Sequence, residues 1–481
     1  MQSFDVLITN AEVLDGSGSP SYACDIGLCG DRIVAIGDLS SAAACTRVNV
    51  AGKTVSPGFI DVHTHDDNAV LKSPDCLPKV SQGVTTVVVG NCGISAAPVR
   101  FSGRIPEPLN LLGAAGDFQF DSFKHYVDTV NERQPAVNVA ALVGHTSLRI
   151  THVGELNRAA SAEELCAMQS DVATAMRQGA IGLSTGLAYA NAIAAPTSEI
   201  VELARVASEY QGLYTTHLRN EFDEICDTLD ESFLIGCTAD LPVVISHLKC
   251  AGQQNWGRAR EILDHIMSSP LGDRIHMDCY PYAAGSSNLD LNQVDQRTEI
   301  LITRSEPHPE QAPKKLAAIA AEWGTSQVEA AQRLMPAGAV YFSISEQDMR
   351  TILRHQRTMI GSDGLPDDVH PHPRLYGTFP RVLGTYCRDE SLLSLSLAIH
   401  KMTALPANTF QLANRGLIYP GYFADLVVFD PATIDDRATF ADPIQQSAGI
   451  EAVYVNGCCV FEHGILTGHR AGRYLSERRG Q

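Results

Sequence analysis

The stretch Pro57-Gly58-Phe59-Ile60-Asp61-Val62-His63-Thr64-His65 sets the pattern for most of this chain, because a short apolar run there ends in side chains that can bind a metal. Seven further apolar or β-branched runs follow. The eight runs are residues 58–61, 84–89, 137–143, 180–183, 213–216, 243–246, 275–278 and 358–361. Amphipathic segments such as 161–178 and 198–211 separate them, and this alternation predicts an α/β protein with a closed (β/α)8, TIM-like barrel.

Each run ends in a side chain that can form hydrogen bonds or bind a metal. In chain order these side chains are His63 and His65, Asn91 and Cys92, His145, Ser184 and Thr185, His217, His247, Tyr280 and Asp363. The strands of a parallel barrel are otherwise apolar, and the active sites of such barrels lie at the carboxyl ends of the strands. The sequence therefore predicts a functional site at that end of the barrel.

The two ends of the chain differ from the barrel region. Short strand-like runs and turns predict one small β-sandwich domain built from residues 1–56 and 416–481, with the barrel over 57–415. The connection from Tyr280 to the eighth run is much longer than the others and contains two helix-like stretches, 312–323 and 326–334. We expect an inserted lid at about 287–345, over the mouth of the barrel.

The composition argues against several classes of protein. The 481 residues carry 36 basic and 55 acidic side chains, and the net charge of −19 disfavours nucleic acid and anionic membranes as partners. The chain is 44% hydrophobic, enough for a large core, yet it has no apolar run long enough to span a bilayer. Because its 13 cysteines are scattered and no export signal is evident, we expect a cytoplasmic protein without a disulfide framework.

Five of the strand-end side chains indicate a metal site. His63 and His65 are two residues apart on one strand end and so face the same side. His217, His247 and Asp363 end three other runs, and the barrel would bring all five to one cavity. A single histidine is more often a core residue, but five such coincidences predict a metal centre. Imidazoles, a carboxylate and a thiolate suit zinc, with manganese, iron and cobalt as alternatives.

The chain resembles the amidohydrolase superfamily in residues 57–65, in the histidines that end the fifth and sixth runs, and in 424–429. Many of its members hold two metals bridged by a carboxylated lysine at the end of the fourth strand, but residues 181–186 contain no lysine. Cys92 offers a substitute, and this exchange resembles the D-aminoacylase (N-acyl-D-amino-acid deacylase) family. The resemblance extends over essentially the whole chain and includes residues 85–93, 246–249, 280–282 and 361–366.

The resemblance implies a set of metal ligands. In the family, residues equivalent to Cys92, His217 and His247 hold one tightly bound Zn²⁺, and equivalents of His63, His65 and Asp363 surround a weaker second position. The family also implies that Asp363 takes a proton from water and later gives it to the leaving nitrogen. A role for Asp363 as a plain ligand is the alternative.

The resemblance also implies a site for the substrate. Equivalents of Lys249, Tyr280 and Ser286 hold the α-carboxylate of the substrate in the family. Arg374 is a further candidate, because an anionic substrate needs local cations in a protein of net charge −19. His145 either orients the substrate or supports Asp363 or a ligand, and a structural role is the alternative.

These features predict zinc-dependent hydrolysis of N-acyl-D-amino acids to a carboxylate and a free D-amino acid. Residues 288–294 contain an aspartate and no basic residue, which favours substrates with neutral or apolar side chains. If Arg297 or Arg304 reaches inward, an N-acyl-D-glutamate or N-acyl-D-aspartate deacylase is the alternative. A cyclic-amide hydrolase of the dihydropyrimidinase or hydantoinase kind would normally need the missing lysine, and a noncatalytic scaffold is disfavoured because all the ligands are present.

Overall fold

The computed structural model describes residues 3–295 and 297–476. The strands are β1 (Ser3–Val13), β2 (Tyr22–Cys29), β3 (Arg32–Gly37), β4 (Ala43–Asn49), β5 (Thr54–Pro57), β6 (Phe59–Asp61), β7 (Val84–Val89), β8 (Asn138–Ala141), β9 (Val143–Gly144), β10 (Gly182–Gly186), β11 (Leu213–His217), β12 (Val243–Ile245), β13 (Ile275–Cys279), β14 (Gly285–Asn288), β15 (Glu299–Ser305), β16 (Lys314–Lys315), β17 (Ala337–Phe342), β18 (Thr358–Ile360), β19 (Leu426–Phe429), β20 (Ile450–Val455), β21 (Cys458–Glu462) and β22 (Ile465–Leu466). The α-helices are α1 (Ala69–Lys72), α2 (Leu77–Val80), α3 (Phe123–Arg133), α4 (His145–His152), α5 (Ala162–Arg177), α6 (Thr197–Glu209), α7 (Ile225–Ala239), α8 (Ala259–Met267), α9 (Leu316–Trp323), α10 (Gln327–Leu334), α11 (Glu346–Arg354), α12 (Arg374–Arg381), α13 (Leu395–Met402) and α14 (Ala404–Thr409).

The eight predicted runs form a ring of parallel strands. β6, β7 and β8 pair in that order, and β9 to β13 followed by β18 form a second parallel series. β8 and β9 are consecutive pieces of one strand on either side of Leu142. A parallel bridge between Thr64 and Gly364 joins the first and last strands at their carboxyl ends. The ring is therefore closed, which is the barrel that the alternating pattern predicts.

Burial explains why these segments form strands and helices. All six residues of β7 are buried, because side chains fill the barrel on one face and helices cover the other. On α6 the buried residues Ile200, Leu203, Ala204 and Ala207 recur every three or four positions, so one face of the helix packs inward. No helix among residues 3–295 and 297–476 has both the length and the apolar character needed to cross a membrane.

The two ends of the chain form one mixed sheet beside the barrel. Strands β1 to β5 and β19 to β22 belong to it, and the antiparallel pairing of β5 with β19 joins the two ends. A separate hydrophobic core lies on this sheet, with Ile8, Ile26 and Val428 among its members. These strands come from the two parts of the chain that are predicted to form the small domain. Residues 1–2 and 477–481 of that predicted domain lie outside the described part of the chain.

An inserted unit follows β13. Strands β14, β17, β15 and β16 pair in that order, and α9 and α10 pack on this sheet around a core that includes Leu289, Ile302 and Leu316. The helix predicted at 312–323 begins only at Leu316, because Lys314–Lys315 pairs with β15 instead. The unit occupies the chain segment predicted as a lid, and its first strand leads directly from the mouth of the barrel.

Candidate metal centre

A thiol and two imidazoles meet at the carboxyl end of the barrel. Cys92 lies beyond the end of β7, His217 is the last residue of β11, and His247 lies beyond the end of β12. One ligand atom from each lies within 4.8 Å of the others, and Cys92 Sγ is 3.4 Å from His247 Nε2. We refer to Cys92, His217 and His247 as the thiolate cluster. A single ion between them can contact all three.

A second group of side chains adjoins the same sulfur. His63 Nε2 lies 3.2 Å from Cys92 Sγ, and Asp363 Oδ1 lies 3.5 Å from His63 Nε2 and 3.2 Å from His65 Nε2. We refer to His63, His65 and Asp363 as the carboxylate cluster. With Cys92, these residues form a second potential site whose ligand atoms lie within 4.8 Å of one another. Cys92 therefore stands between two positions that can hold a metal.

Three of the ligand residues have a left-handed backbone. The φ angles of Cys92, His247 and Asp363 are 53°, 35° and 49°. Residues other than glycine rarely adopt this conformation, and such strain concentrates at functional sites. Next to Cys92, Gly93 has φ 73°, and a Cβ atom there would lie 2.6 Å from Gly186 N. The tight turn that presents Cys92 to the barrel mouth therefore requires glycine at position 93.

The local charges favour ionised ligands. Burial alone would raise the pKa of the Cys92 thiol, but the imidazoles of His63 and His247 hold this pKa well below its usual value. Burial would likewise raise the pKa of Asp363, yet Arg374 and His65 hold it well below its usual value. Asp363 is therefore ionised at neutral pH, and the surroundings of Cys92 favour its thiolate. The thiolate is the form of cysteine that binds metal.

These residues fit a zinc ion. Zinc prefers thiolate and imidazole ligands, and three protein ligands leave one position open for catalysis. The end of β10, where a bridging lysine would lie, carries hydroxyl groups that are already hydrogen-bonded. Ser184 Oγ accepts from Gly93 N at 3.1 Å, and Thr185 Oγ1 donates to Thr216 Oγ1 at 2.8 Å. The sulfur of Cys92 is thus the anionic atom placed between the two positions.

Asp278 supports one ligand of each cluster and was missed by the sequence analysis. Its Oδ2 lies 3.3 Å from His63 Nδ1, and its Oδ1 accepts a hydrogen bond from His247 N at 2.8 Å. Ligands of a metal commonly need such support to keep their orientation. The sequence does offer one indication of this role, because Asp278 lies within the apolar run of β13 and a buried carboxylate needs hydrogen-bond or charged partners.

A buried lysine supports the carboxylate cluster from behind. Lys79 Nζ donates to Asp61 Oδ2 and to Thr64 Oγ1 at 2.8 Å, and to Ser362 Oγ at 3.0 Å. Thr64 lies between the two histidines of the cluster, and Ser362 precedes Asp363. The network therefore ties the first strand to the eighth. Nothing in the sequence of the short helix α2 distinguishes Lys79 from a surface lysine.

Three of the four candidate carboxylate-binding residues lie together beside Asp363. The fourth, Lys249, lies near enough for its charge to act on Tyr280 and Asp363. Arg374 Nη2 is 2.9 Å from Asp363 Oδ2 and donates to Ser286 O at 3.2 Å, and the Arg374 guanidinium lies 4.6 Å from the centre of the Tyr280 ring. Burial raises the pKa of Tyr280 to about 12, against the opposing effect of Lys249 and Arg374. Among the described residues, Arg374 Nε, Arg374 Nη1 and Ser286 Oγ are buried without a hydrogen-bond partner. These donors can bind a carboxylate.

His145 begins α4 and lies fully buried. Its Nε2 is 2.9 Å from Glu199 Oε1, which also accepts a hydrogen bond from Arg149 Nη1 at 2.6 Å. Its Nδ1 has no hydrogen-bond partner in the part of the chain that the structure describes. The carboxylate that His145 contacts is thus Glu199, and its suggested part in orienting the substrate stays a prediction.

Tyr189 is a further residue at the site that the sequence analysis missed. It lies in the loop after β10, and its ring centre is 5.2 Å from that of His217. Burial, followed by the charges of Cys92 and Asp363, raises the pKa of its hydroxyl well above the usual value. Tyr189 is therefore a neutral wall residue next to the thiolate cluster.

Comparison with known proteins agrees with this geometry. A model of the amidohydrolase family matches residues 47–221 and 286–461. The D-aminoacylase of Alcaligenes xylosoxydans xylosoxydans is 50% identical over 475 residues, which cover 99% of this chain and 98% of that protein. The N-acyl-D-aspartate and N-acyl-D-glutamate deacylases of the same organism are each 46% identical and cover 98% of this chain, and 95% and 97% of their own lengths. The chain belongs to the D-aminoacylase family of amidohydrolases.

Solved structures of D-aminoacylase family members share the whole architecture. Two D-aminoacylase structures, one of them concerned with a binuclear metal centre, superpose with TM-scores of 0.96 at 50% and 49% identity and cover 98% of this chain and 99% of theirs. The N-acyl-D-glutamate deacylase of Bordetella bronchiseptica, complexed with zinc and a phosphonate inhibitor, has a TM-score of 0.95 at 43% identity, covering 99% and 100%. The predicted family and the amidohydrolase fold of TIM barrel plus β-sandwich are confirmed.

Proposed function

We propose that this chain hydrolyses N-acyl-D-amino acids to a carboxylate and a free D-amino acid, with zinc at the thiolate cluster. It is a metal-dependent amidohydrolase that acts on linear amides. The observation that carries the proposal is the meeting of Cys92, His217 and His247 beside Asp363, in a chain that is 50% identical to a D-aminoacylase over 475 residues.

Asp363 carries the proton through the reaction. When bound, zinc supplies Lewis acidity, which polarises a carbonyl oxygen and makes water a stronger acid. The Asp363 carboxylate is ionised, so it accepts a proton from the attacking water while the water oxygen bonds to the carbonyl carbon. When the carbon–nitrogen bond breaks, the same carboxyl group gives that proton to the departing amine. Arg374, 2.9 Å from Asp363 Oδ2, orients the carboxylate for both transfers.

The substrate carboxylate binds among the donors next to Asp363. Arg374 has two buried nitrogens, Nε and Nη1, that form no hydrogen bond with the described residues. The hydroxyl group of Ser286 is likewise buried and forms no hydrogen bond with them. The Tyr280 hydroxyl remains protonated and can donate, because burial raises its pKa to about 12. Lys249 adds a positive charge. The net charge of the protein is −19, so an anionic substrate is attracted to the site by these local cations and hydrogen-bond donors.

The inserted unit decides the side-chain preference. Residues 288–294 contain no basic residue, and the side chain of Arg297 is exposed. Both observations support substrates with neutral or apolar side chains, such as D-leucine, D-methionine or D-phenylalanine. One observation favours the alternative of an acidic side chain. Arg304 Nη2 donates to Asn288 Oδ1 at 2.8 Å, two residues beyond Ser286, so one cation of the insert lies near the carboxylate site.

The two metal positions differ in affinity in this proposal. The thiolate cluster holds one zinc tightly, because a thiolate and two imidazoles are its preferred ligands. In the carboxylate cluster, an ion would have to share Asp363 with Arg374, whose Nη2 lies 2.9 Å from Asp363 Oδ2. A second ion at His63, His65 and Asp363 therefore binds more weakly, and it would also occupy the carboxylate that transfers the proton.

A substrate panel tests the function. N-acetyl derivatives of D- and L-leucine, methionine, phenylalanine, glutamate and aspartate are incubated with the zinc-loaded and the chelated protein, and the released amino acid is measured. We expect zinc-dependent release from the D-enantiomers, fastest for the neutral side chains. Preference for the L-enantiomers, or equal release after chelation, would contradict the proposal. Faster release from D-glutamate that Arg304→Ala abolishes would establish the alternative substrate class.

A further inference from the structure

Glu221 makes a contact that the reaction itself does not require. This glutamate lies in the loop after β11, and its Oε1 is 2.6 Å from Lys249 Nζ and 3.1 Å from His247 Nδ1. Lys249 Nζ is in turn 2.9 Å from the same Nδ1. A carboxylate oxygen, an ammonium and an imidazole nitrogen of a metal ligand thus form a closed triangle. The other oxygen of Glu221, Oε2, lies 3.6 Å from His217 Nε2.

The triangle allows His247 two arrangements, of which one can bind a metal. An ammonium group has only donors, so a direct hydrogen bond from Lys249 to Nδ1 requires that nitrogen to accept. The neutral ring then carries its proton on Nε2, the nitrogen that lies 3.4 Å from Cys92 Sγ. If Nδ1 instead donates to Glu221, the lone pair of Nε2 points to the sulfur and can bind zinc.

We infer that Glu221 is a positioning residue that holds His247 in its metal-binding tautomer and keeps Lys249 from blocking it. The inference rests on the proposed zinc site. In this arrangement Glu221 Oε1 accepts from both the ammonium and the imidazole, and its negative charge offsets the repulsion between these two donors, which lie 2.9 Å apart. The ammonium stays beside the substrate site, where it can bind a carboxylate.

The loop is built to fix Glu221 in this place. Ala251 N donates to Glu221 O at 2.8 Å, which ties the backbone of the loop to the segment that carries Lys249. On the other side of the loop, Arg219 binds Glu231 through Nε at 2.9 Å and Nη2 at 2.8 Å. Glu221 itself is buried, so water cannot readily take its place as acceptor.

Removal of the Glu221 carboxylate should allow Lys249 to donate a hydrogen bond to His247 Nδ1 and so disfavour the metal-binding tautomer of His247. In Glu221→Gln, the amide oxygen can still accept a hydrogen bond, but the negative charge that holds Lys249 is lost, so the ammonium can turn to the other acceptors beside it, His247 Nδ1 and the carbonyl oxygen of His247, 3.2 Å away. We expect zinc affinity, measured by competition with a chromogenic chelator, to fall about 10- to 100-fold, the range found when such supports of metal ligands are removed. The visible spectrum of the cobalt-substituted protein should also change, because one nitrogen ligand is weakened.

A second substitution separates positioning from simple loss of structure. Lys249→Met alone should leave zinc affinity within a few-fold, and the double variant Glu221→Gln/Lys249→Met should regain most of the affinity lost in Glu221→Gln, because the competing donor is gone. Glu231→Gln is the matched control, since it loosens the same loop without touching a ligand. Unchanged affinity in Glu221→Gln, or a double variant no better than that single one, would overturn the inference. Failure of the unaltered protein to bind zinc would instead overturn the proposed function.

Discussion

The thiolate cluster and the carboxylate cluster share the sulfur of Cys92 but are held by different kinds of structure. In the thiolate cluster, His247 contacts Glu221, which comes from a loop and also holds Lys249. In the carboxylate cluster, the residues next to the ligands are fixed by Lys79, which is fully buried. The residue that supports the first cluster is thus shared with the substrate site through Lys249, whereas the residue that supports the second lies in the interior of the barrel.

The thiolate cluster and the carboxylate cluster are therefore suited to different tasks, and we refer to them as the two halves of the site. The thiolate cluster has donors that zinc prefers, and in the described part of the chain the side chains in hydrogen-bonding contact with the sulfur are imidazoles rather than lysine or arginine. Asp363 of the carboxylate cluster is already paired with Arg374, so its charge is shared before any ion arrives. One half is suited to hold a metal, and the other to keep a carboxylate available for proton transfer. The predictions that follow first remove the sulfur shared by the two clusters and then disturb one cluster at a time.

The largest effect is expected from Cys92→Ala, which removes the atom common to both halves. Zinc content should fall to the background level, and turnover should fall with it, because two imidazoles alone are a poor zinc site. Metal analysis of the purified protein and the N-acetyl-D-amino-acid assay measure the two losses. Cys76→Ala is the control, since Cys76 is also buried but belongs to neither cluster. An active Cys92→Ala protein would show that the sulfur is not a ligand.

Asp363→Asn should separate the two halves. The thiolate cluster stays intact, so tightly bound zinc should remain at about one per chain. Turnover should fall by about 10³-fold or more, because acid and base functions are both lost and each is commonly worth about 10²- to 10⁴-fold. Metal analysis alongside kcat measures this split. Loss of the tight zinc together with activity would instead identify Asp363 as a plain ligand.

Lys79→Met tests the support of the carboxylate cluster. It leaves the buried carboxylates of Asp61 and Asp66 without their cation, at 2.8 Å and 3.1 Å in the intact protein. Breaking a buried ion pair in this way costs about 3–5 kcal/mol in the free energy of unfolding. Denaturant unfolding of the zinc-loaded protein measures it. Lys72→Met is the control, because Lys72 pairs with Asp117 and Asp367 near the surface, where the loss should stay below about 1 kcal/mol.

The barrel and the clustering of the candidate ligands could be predicted from the sequence because both follow a local rule. A buried parallel strand is apolar, so a histidine, cysteine or aspartate just beyond it stands out, as His63, Cys92 and Asp363 do. The closed ring then brings these strand ends together whatever their distance along the chain. The inserted unit could be placed for a similar reason, since one connection is much longer than the others.

The supporting residues could not be found in this way. Lys79 has an ordinary place in a four-residue helix, and its partner Ser362 is 283 positions away. Glu221 follows β11 among other polar residues, and its role is evident only from its contacts with Lys249 and His247, which belong to another loop. Side chains that act through contacts between distant segments leave no periodic pattern, so the structure is needed to find them.

The smallest effect is expected from Lys249→Ala, which alters the substrate side of the thiolate cluster. Hydrogen bonds between charged groups contribute about 1.5–3 kcal/mol, so KM for N-acetyl-D-amino acids should rise about 10- to 100-fold. Arg374, Tyr280 and Ser286 remain, which limits the loss. With the α-amide in place of the carboxylate, the intact protein and Lys249→Ala should perform alike, because no negative charge meets the ammonium. An equal loss on the acid and the amide would mean that Lys249 acts through His247 and zinc rather than through the substrate, and zinc content measured on the same samples decides between these two routes.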